Sequence, residues 1–417
     1  MAGIACLTRH TQEKVCESEL GLKSLSKTLQ RQVVNLILGV PKEIIEGEKR
    51  VGIVPESLAK LSSLGFEIRV EKDAGKEAGF LDSDYEAHGA KIVSGAQELY
   101  SSADVIVKVE RPEQHPEAGK HELELMKKGA VLVCFMAPLN YPELSRKAAQ
   151  AGVDVLSMND IPRITRAQRM DALSSQTNLA GYKAVLMGAN ALRKIFPLLM
   201  TAAGTISPAR VVILGAGVAG LQAIATARRL GAVVEVSDVR PAVKEQVESL
   251  GGKYIEPPQD ETLEGEGGYA KEASEEYLQK QQELLKKHIA EADVVITTAQ
   301  VPGKKAPVLI SEETVKSMRP GSVIVDMAAG TGGNCAITEA GKEVRKHEVT
   351  IIGETNIISL VAFNASQLYS RNVLALLQSL TKENQVVLDL EDEIVKGALI
   401  TREGQVIHEN TKKLLGE

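Results

Sequence analysis

The chain has 417 residues, of which 44% are hydrophobic, 25% charged and 3% aromatic, with a formal net charge of −6. This length predicts two or three domains rather than one core, and the acidic balance speaks against a nucleic-acid partner. No apolar run approaches the roughly 18 residues of a membrane span, and neither the four cysteines (Cys6, Cys16, Cys134, Cys335) nor the seven histidines form a CxxC or HExxH pattern, so a disulfide framework and a zinc hydrolase are unsupported and a reducing compartment is favoured.

Residues 1–32 are polar and weakly patterned, and Glu13, Glu17 and Glu19 argue against an acid-poor transit peptide; a flexible extension is expected. From Val33 to Met158, β-rich runs (VVNLILGV, FEIRVE, ADVIVKVE, AVLVCFMA, VDVLSM) alternate with helical patterns such as PESLAKLSSLG, ELELMKKG and YPELSRKAAQAG, each ending in Gly. Short strands separated by helices predict a parallel sheet covered on both faces. A second series starts at Arg210 with VVILGAG, VVEVSD, DVVITTA, SVIVDMA and VTIIGE. Two long helical patterns, Asp171 to Phe196 and Asn364 to Leu380, flank it. The expected fold is α/β: two doubly wound, Rossmann-like parallel-sheet domains joined by two long helices, with a ligand cleft between them. The first domain would be discontinuous, 33–163 with 364–417, and the second would span 164–363.

GAGVAG, residues 215–220, directly follows the strand VVIL and directly precedes a helix. Gly215 permits the tight turn, Gly217 the approach of a pyrophosphate, and Gly220 close packing of helix on strand, while the helix N-terminus, at Val218, favours the anion. Alone the pattern is weak, but Asp238 ends the next strand, 18 residues after Gly220, where a dinucleotide fold needs an acceptor for the adenosine ribose hydroxyls. A 2′-phosphate there would meet a like charge, worth about 4 kcal/mol at ~4 Å and an effective dielectric of ~20, which favours NAD over NADP. Arg240 tempers that preference because it can pair with a phosphate. Residues 257–274 interrupt the rhythm with Gly265, Gly267, Gly268 and Tyr269, and read as a lid or as a disordered excursion, the lid being favoured.

RITRAQRMDALSSQTNLAGYKAV, residues 163–185, crowds polar groups at a helix entrance. The sequence offers no nucleophile with an adjacent base, and hydride transfer between nicotinamides needs none, because the protein has only to orient the rings and exclude water. Arg163, Gln168, Asp171 and Ser174 are candidates for that orientation. A solvated loop capping the helix from Asp171 is the competing explanation.

These stretches, with GEGGYAKE, TTAQVPGKKAPVL and VDMAAGTGGN, resemble domain I, the NAD(H)-binding component carried by the alpha subunit, of proton-translocating NAD(P) transhydrogenases, from LGVPKEIIEGEKRVGIVPES to the C-terminus. The loop from Arg163 matches the family's RQD loop. The resemblance implies that NADH bound here passes hydride to NADP+ on a partner subunit, with Re/Si-specific chemistry preferred over Si-specific, coupled to proton translocation by a separate membrane domain. It puts Arg163, Gln168, Asp171 and Ser174 at the nicotinamide ribose and pyrophosphate, Gln168 nearest the transfer, and further contacts on Ile164, Thr165, Val218, Asp238, Val239, Arg240, Gly268 and Gln300, the last through its backbone. Tyr269 corresponds to the mobile-loop tyrosine. No metal is expected. A homodimer is, held peripherally on the cytoplasmic face of the inner membrane by membrane-spanning and NADP(H)-binding subunits, or on the matrix face in a mitochondrion. Because no span precedes Glu417, those components are expected on other polypeptides unless the chain is an excised fragment.

Alanine dehydrogenase is similar in PKEIIEGEKRV and VPGKKAP. Its substrate lysine, catalytic histidine and active-site aspartate would fall on Glu110, Ala137 and Gly330, and only its arginine is kept, as Arg50. A non-catalytic NAD-sensing subunit is the third alternative.

Overall fold

The computed structural model describes residues 36–256, 275–301 and 303–417. The expected flexible extension 1–32 and the glycine-rich segment 257–274, with Gly268 and Tyr269, lie outside them. Strands β1 (Leu36–Val40), β2 (Phe66–Glu71), β3 (Lys91–Val93), β4 (Val105–Glu110), β5 (Val131–Phe135) and β6 (Asp154–Ser157) form one parallel sheet. After a small hairpin, β7 (Leu199–Thr201) with β8 (Gly204–Ile206), a second sheet is built from β9 (Arg210–Leu214), β10 (Val233–Ser237), β11 (Lys253–Ile255), β12 (Val294–Thr297), β13 (Val323–Asp326), β14 (Glu343–Lys346) and β15 (Val349–Ile352). A second hairpin, β16 (Thr381–Lys382) with β17 (Gln385–Val386), precedes β18 (Leu399–Arg402) and β19 (Gln405–Val406), which return to the first sheet.

The sheet orders are β3-β2-β1-β4-β5-β6-β18-β19 and β11-β10-β9-β12-β13-β15-β14. Each contains six parallel strands in the order 3-2-1-4-5-6 of a doubly wound dinucleotide fold, with antiparallel strands added only beyond the sixth. Helices on both faces bury both sides, so β5, β12 and β13 are buried along their whole length. In β5, alternate side chains go to opposite faces: Val133 joins one apolar cluster and Leu132 and Cys134 another.

The helix expected over 171–196 spans Ala172–Ala191. It ends early because Leu192 turns extended and Lys194 pairs with Asp293 at 2.8 Å, and Pro197 disfavours helical geometry at Phe196. Gly181 lets this helix lie on the helix Val218–Arg229, since a Cβ there would sit 2.1 Å from the Ala219 carbonyl oxygen. Its other side packs on the helix Ala362–Leu380, where Gln176 Nε2 donates to the Ala365 carbonyl at 3.0 Å and Ser175 Oγ to Asn372 Oδ1 at 2.7 Å. Among the described residues no helix is long and apolar enough to cross a membrane.

Candidate functional site

At the switch point of the second sheet, between β9 and β12, the glycines of 215–220 have separate roles. Gly215 takes a left-handed φ of 104°, and a Cβ there would meet Thr298 Oγ1 at 2.3 Å. Gly220 allows helix and turn to touch, because its Cβ would stand 1.9 Å from the Gly215 carbonyl oxygen. At Gly217 a Cβ would meet nothing within 4 Å. Gly217 is also the N-cap of the helix Val218–Arg229 and lends no side chain to its first turn, so the leading N–H groups are available to an anion.

A cleft of about 1190 Å³ opens from this turn toward the C-terminal ends of β5 and β6. Its volume exceeds the roughly 300–1,000 Å³ of small-ligand sites and suits an extended dinucleotide. The near wall carries residues 214–219 and 237–240 with Thr298, Ala299 and Gln300, and the far wall carries Ala137, Leu139, Asn159 and Asp160. Ala137 has a left-handed φ of 46°, rare for a residue with a side chain, and its N–H donates to Asn159 Oδ1 at 2.8 Å. Burial raises the Asp160 carboxyl above its ordinary value, opposed by a hydrogen bond from Ser157. Arg163, Arg240, Lys304 and Lys305 supply positive charge around the cleft.

The expected site residues divide into those on the cleft and those beside it. Arg163, Ser174, Gly215, Gly217, Val218, Asp238, Val239, Arg240 and Gln300 line it. Gly220 is buried in the helix contact, Ile164 packs against the first core, and Thr165 and Gln168 are exposed. Asp171 caps the helix Ala172–Ala191, accepting from Ser174 N at 2.9 Å and Ser174 Oγ at 2.6 Å. The loop is pinned to the C-terminal region of the chain, for Arg166 forms a two-pronged pair with Asp392 at 2.8 and 2.6 Å and Asn372 holds the Arg169 carbonyl at 2.8 Å. Some of its polar crowding is therefore structural, while Arg163 lines the cleft and Gln168 is exposed beside it.

Asp238 is engaged rather than waiting. Its Oδ1 accepts from Arg240 N and Nε at 2.8 and 2.9 Å, and its Oδ2 from Ala216 N at 2.7 Å and Arg240 Nη2 at 2.8 Å. A ribose hydroxyl reaches this carboxylate only if the Arg240 side chain yields.

Arg50 is buried, and four of its five guanidinium N–H groups are engaged within the chain: Glu48 accepts at 2.6 and 2.8 Å, Glu110 at 2.9 Å and Gln176 Oε1 at 3.1 Å. Burial would raise the Glu48 carboxyl, but the charge and hydrogen bonds of Arg50 hold it down at about 2. Arg50 thus answers to carboxylates of its own chain. Sequence reasoning named Ala137 only as the place of alanine dehydrogenase's histidine and missed Leu139, Asn159, Asp160, Thr298, Lys304 and Lys305 on the cleft. Their available signal was position, since they follow the C-terminal ends of β5, β6 and β12, where doubly wound sheets bind ligands.

Residues 39–180 match the family described as alanine dehydrogenase/PNT, N-terminal domain, and residues 184–409 match alanine dehydrogenase/PNT, C-terminal domain. The first portion of NAD(P) transhydrogenase subunit alpha of Rhodospirillum rubrum is 50% identical over 375 residues, covering 89% of this chain and 97% of that protein. The crystal structure of transhydrogenase from Sinorhizobium meliloti superposes with a TM-score of 0.79 at 44% identity, covering 89% of this chain and all of that one (100%). Alanine dehydrogenase of Bacillus subtilis is 28% identical over 392 residues, covering 91% and 95%. With two sheets of one order, a glycine turn facing the cleft and these similarities, the chain belongs to the alanine dehydrogenase/PNT family, on the branch of the NAD(P) transhydrogenase alpha subunits.

Proposed function

We propose that the chain binds NADH in the cleft and presents it for Re/Si-specific hydride transfer to NADP+ held by a partner subunit, with a membrane-spanning subunit coupling transfer to proton translocation. The observation that carries this reading is the turn 215–220 at the switch point, with Gly217 open to the cleft and Gly215 and Gly220 closed to any side chain. The nicotinamide supplies the hydride; the chain supplies binding, orientation and exclusion of water. The helix N-terminus at Val218 would hold the pyrophosphate, Asp238 the adenosine ribose, and Arg163, Ser174 and Gln300 the opposite half, with Gln168 beside the partner's ring. Commitment of Arg50 to Glu48 and Glu110 favours transhydrogenase over amino-acid oxidation, which needs a free cation for the substrate carboxylate.

A homodimer, attached to the cytoplasmic face through the partner subunits, accords with the hairpin β7–β8, which exposes Leu199 (44%), Met200 (73%) and Ile206 (47%). Sedimentation of the purified chain tests it.

The functional test pairs calorimetric titration of NADH with stopped-flow transfer to an NADP+ analogue on the partner subunit. Gln168→Asn should keep the dissociation constant within a few-fold and slow transfer on the order of a hundredfold, as expected of a reacting ring displaced by near 1 Å. Transfer at the unmutated rate would reduce the loop to a helix cap. Binding without any transfer would favour the NAD-sensing subunit, and no NADH binding would overturn the proposal.

A further inference from the structure

The stretch VDMAAGTGGN builds a buried device beside the cleft. Asp326, at the end of β13, is fully buried and faces Thr297 across the register of β12. Its carboxylate accepts from the hydroxyls of Thr297 and Thr338 at 2.9 and 2.7 Å and from the backbone N–H groups of Ala328, Asn334 and Cys335 at 3.1, 2.9 and 3.0 Å. Gly333, at φ 78°, makes the wrap possible, because a Cβ would crowd Asp326 Oδ2 at 2.9 Å.

The wrap delivers Asn334, itself fully buried, to the cleft's near wall. Asn334 Oδ1 accepts from Ala299 N at 3.1 Å, and Nδ2 donates to the carbonyls of Ala299 at 2.9 Å and Pro307 at 2.8 Å. One side chain thereby ties down the start of the cleft-lining stretch 299–301 and the end of the stretch 303–307. Next to them Thr298 Oγ1 donates to the Gly215 carbonyl at 3.1 Å, so the same assembly abuts the glycine turn.

Strand order says which half of a ligand feels this. Asp238 follows β10, the glycine turn follows β9 and residues 298–307 follow β12, with neighbouring strands ~4.8 Å apart. A dinucleotide with its pyrophosphate at the turn and its adenosine at Asp238 lays its nicotinamide half over residues 299–301 and 303–307. We infer that Asn334, seated on Asp326, is a positioning residue for the nicotinamide half of the dinucleotide, acting through residues 299–301 and 303–307 without lining the cleft itself. This rests on the NAD(H) reading of the cleft.

The test titrates the full chain, unmutated and as Asn334→Ala, with NADH and with ADP-ribose, which lacks the nicotinamide. NADH should weaken about tenfold, the loss of one or two hydrogen bonds, while ADP-ribose stays within about twofold. Asn334→Asp keeps the volume but sets a carboxylate oxygen against the carbonyls of Ala299 and Pro307, and should show the same split. Equal weakening of both ligands marks a merely structural residue and overturns the inference, as does no weakening of either. If neither variant folds, hydrogen exchange on the unmutated chain decides. Protection at Ala299 N–H that rises with NADH and not with ADP-ribose supports the inference; protection indifferent to the nicotinamide, or exchange at open-loop rates, overturns it. Failure of the unmutated chain to bind NADH would instead strike the functional proposal.

Discussion

The crevice between the first and fourth strands of the 3-2-1-4-5-6 order occurs in both sheets, and the chain uses it in opposite ways. In the second sheet the strand β9 runs into glycines and the crevice stays open to the cleft. In the first, β1 runs into Pro41-Lys42-Glu43, and the Glu43 carboxyl oxygen accepts from Val109 N of β4 at 2.5 Å. Behind it Lys108, fully buried, is held by Glu122 at 2.6 Å and faces Glu43 at 3.8 Å, while Glu122 also accepts from the Tyr100 hydroxyl. Topology offers a crevice twice; the residues after the first strand decide whether it becomes a site or an interior.

The strongest way to break this comparison is to unplug the filled crevice. Lys108→Ala leaves Glu122 buried without its cation and should cost about 3–5 kcal/mol in urea unfolding, with NADH affinity of the folded protein unchanged. A loss below about 1 kcal/mol would show the cluster to be incidental.

Next comes pH. Burial pushes the Glu43 carboxyl up from 4.5 to about 8 against the pull of Lys108. Between those values the folded chain keeps a proton that the unfolded chain has lost. This group's contribution therefore lowers stability as pH rises from about 4.5 to 8, by at most ~1.4 kcal/mol per pH unit. Glu43→Gln should flatten that stretch of a stability-pH profile; an unaltered slope would deny Glu43 its raised value.

In the open crevice, Gly220→Ala should cost about 1–3 kcal/mol of stability by overpacking and weaken NADH with it. Gly217→Ala should leave stability within about 0.5 kcal/mol and weaken NADH alone. Thermal melts alongside titrations separate the two, and equal destabilisation would erase the distinction between packing glycine and ligand glycine.

The smallest effect concerns nucleotide choice. Arg240→Ala strips Asp238 of its cation, so NADPH should lose a few-fold relative to NADH, about 0.5–1 kcal/mol, in paired titrations. A gain for NADPH would mean that the Arg240 side chain blocks the 2′-phosphate by its bulk rather than offsetting the charge of Asp238, and would overturn this reading.

Much of this was legible in the residues. Parallel strands buried on both faces are near-continuous apolar runs, and the longer ones, from LILGV to VTII, stand out unaided. The three-residue strands β3 and β11 and the hairpin β7–β8 did not, because a period of two cannot register in three residues. GAGVAG announced itself, since only backbone constraints select three glycines at that spacing. Asp238 was legible as a position but not in its pairing with Arg240, and Ala137 was legible as a position but not in its conformation, for nothing in MAPLN signals a left-handed φ or a hydrogen bond to Asn159, 22 residues away. Long-range partners of this sort exist only after folding.

The return of β18 and β19 to the first sheet reaches into how the chain is made. Leu399 and Thr401 pair with Leu156 and Val155, and Thr401 Oγ1 accepts from Val155 N at 3.0 Å. On the ribosome those partners emerge about 240 residues apart, an interval on the order of ten to fifty seconds at ~5–20 residues per second. Throughout it β6 is an open strand edge, while the strands of the second sheet, through Ile352, are all synthesised before Leu399. The nascent chain should thus acquire its nucleotide fold first, and its earliest strands should be the last to be sealed against aggregation.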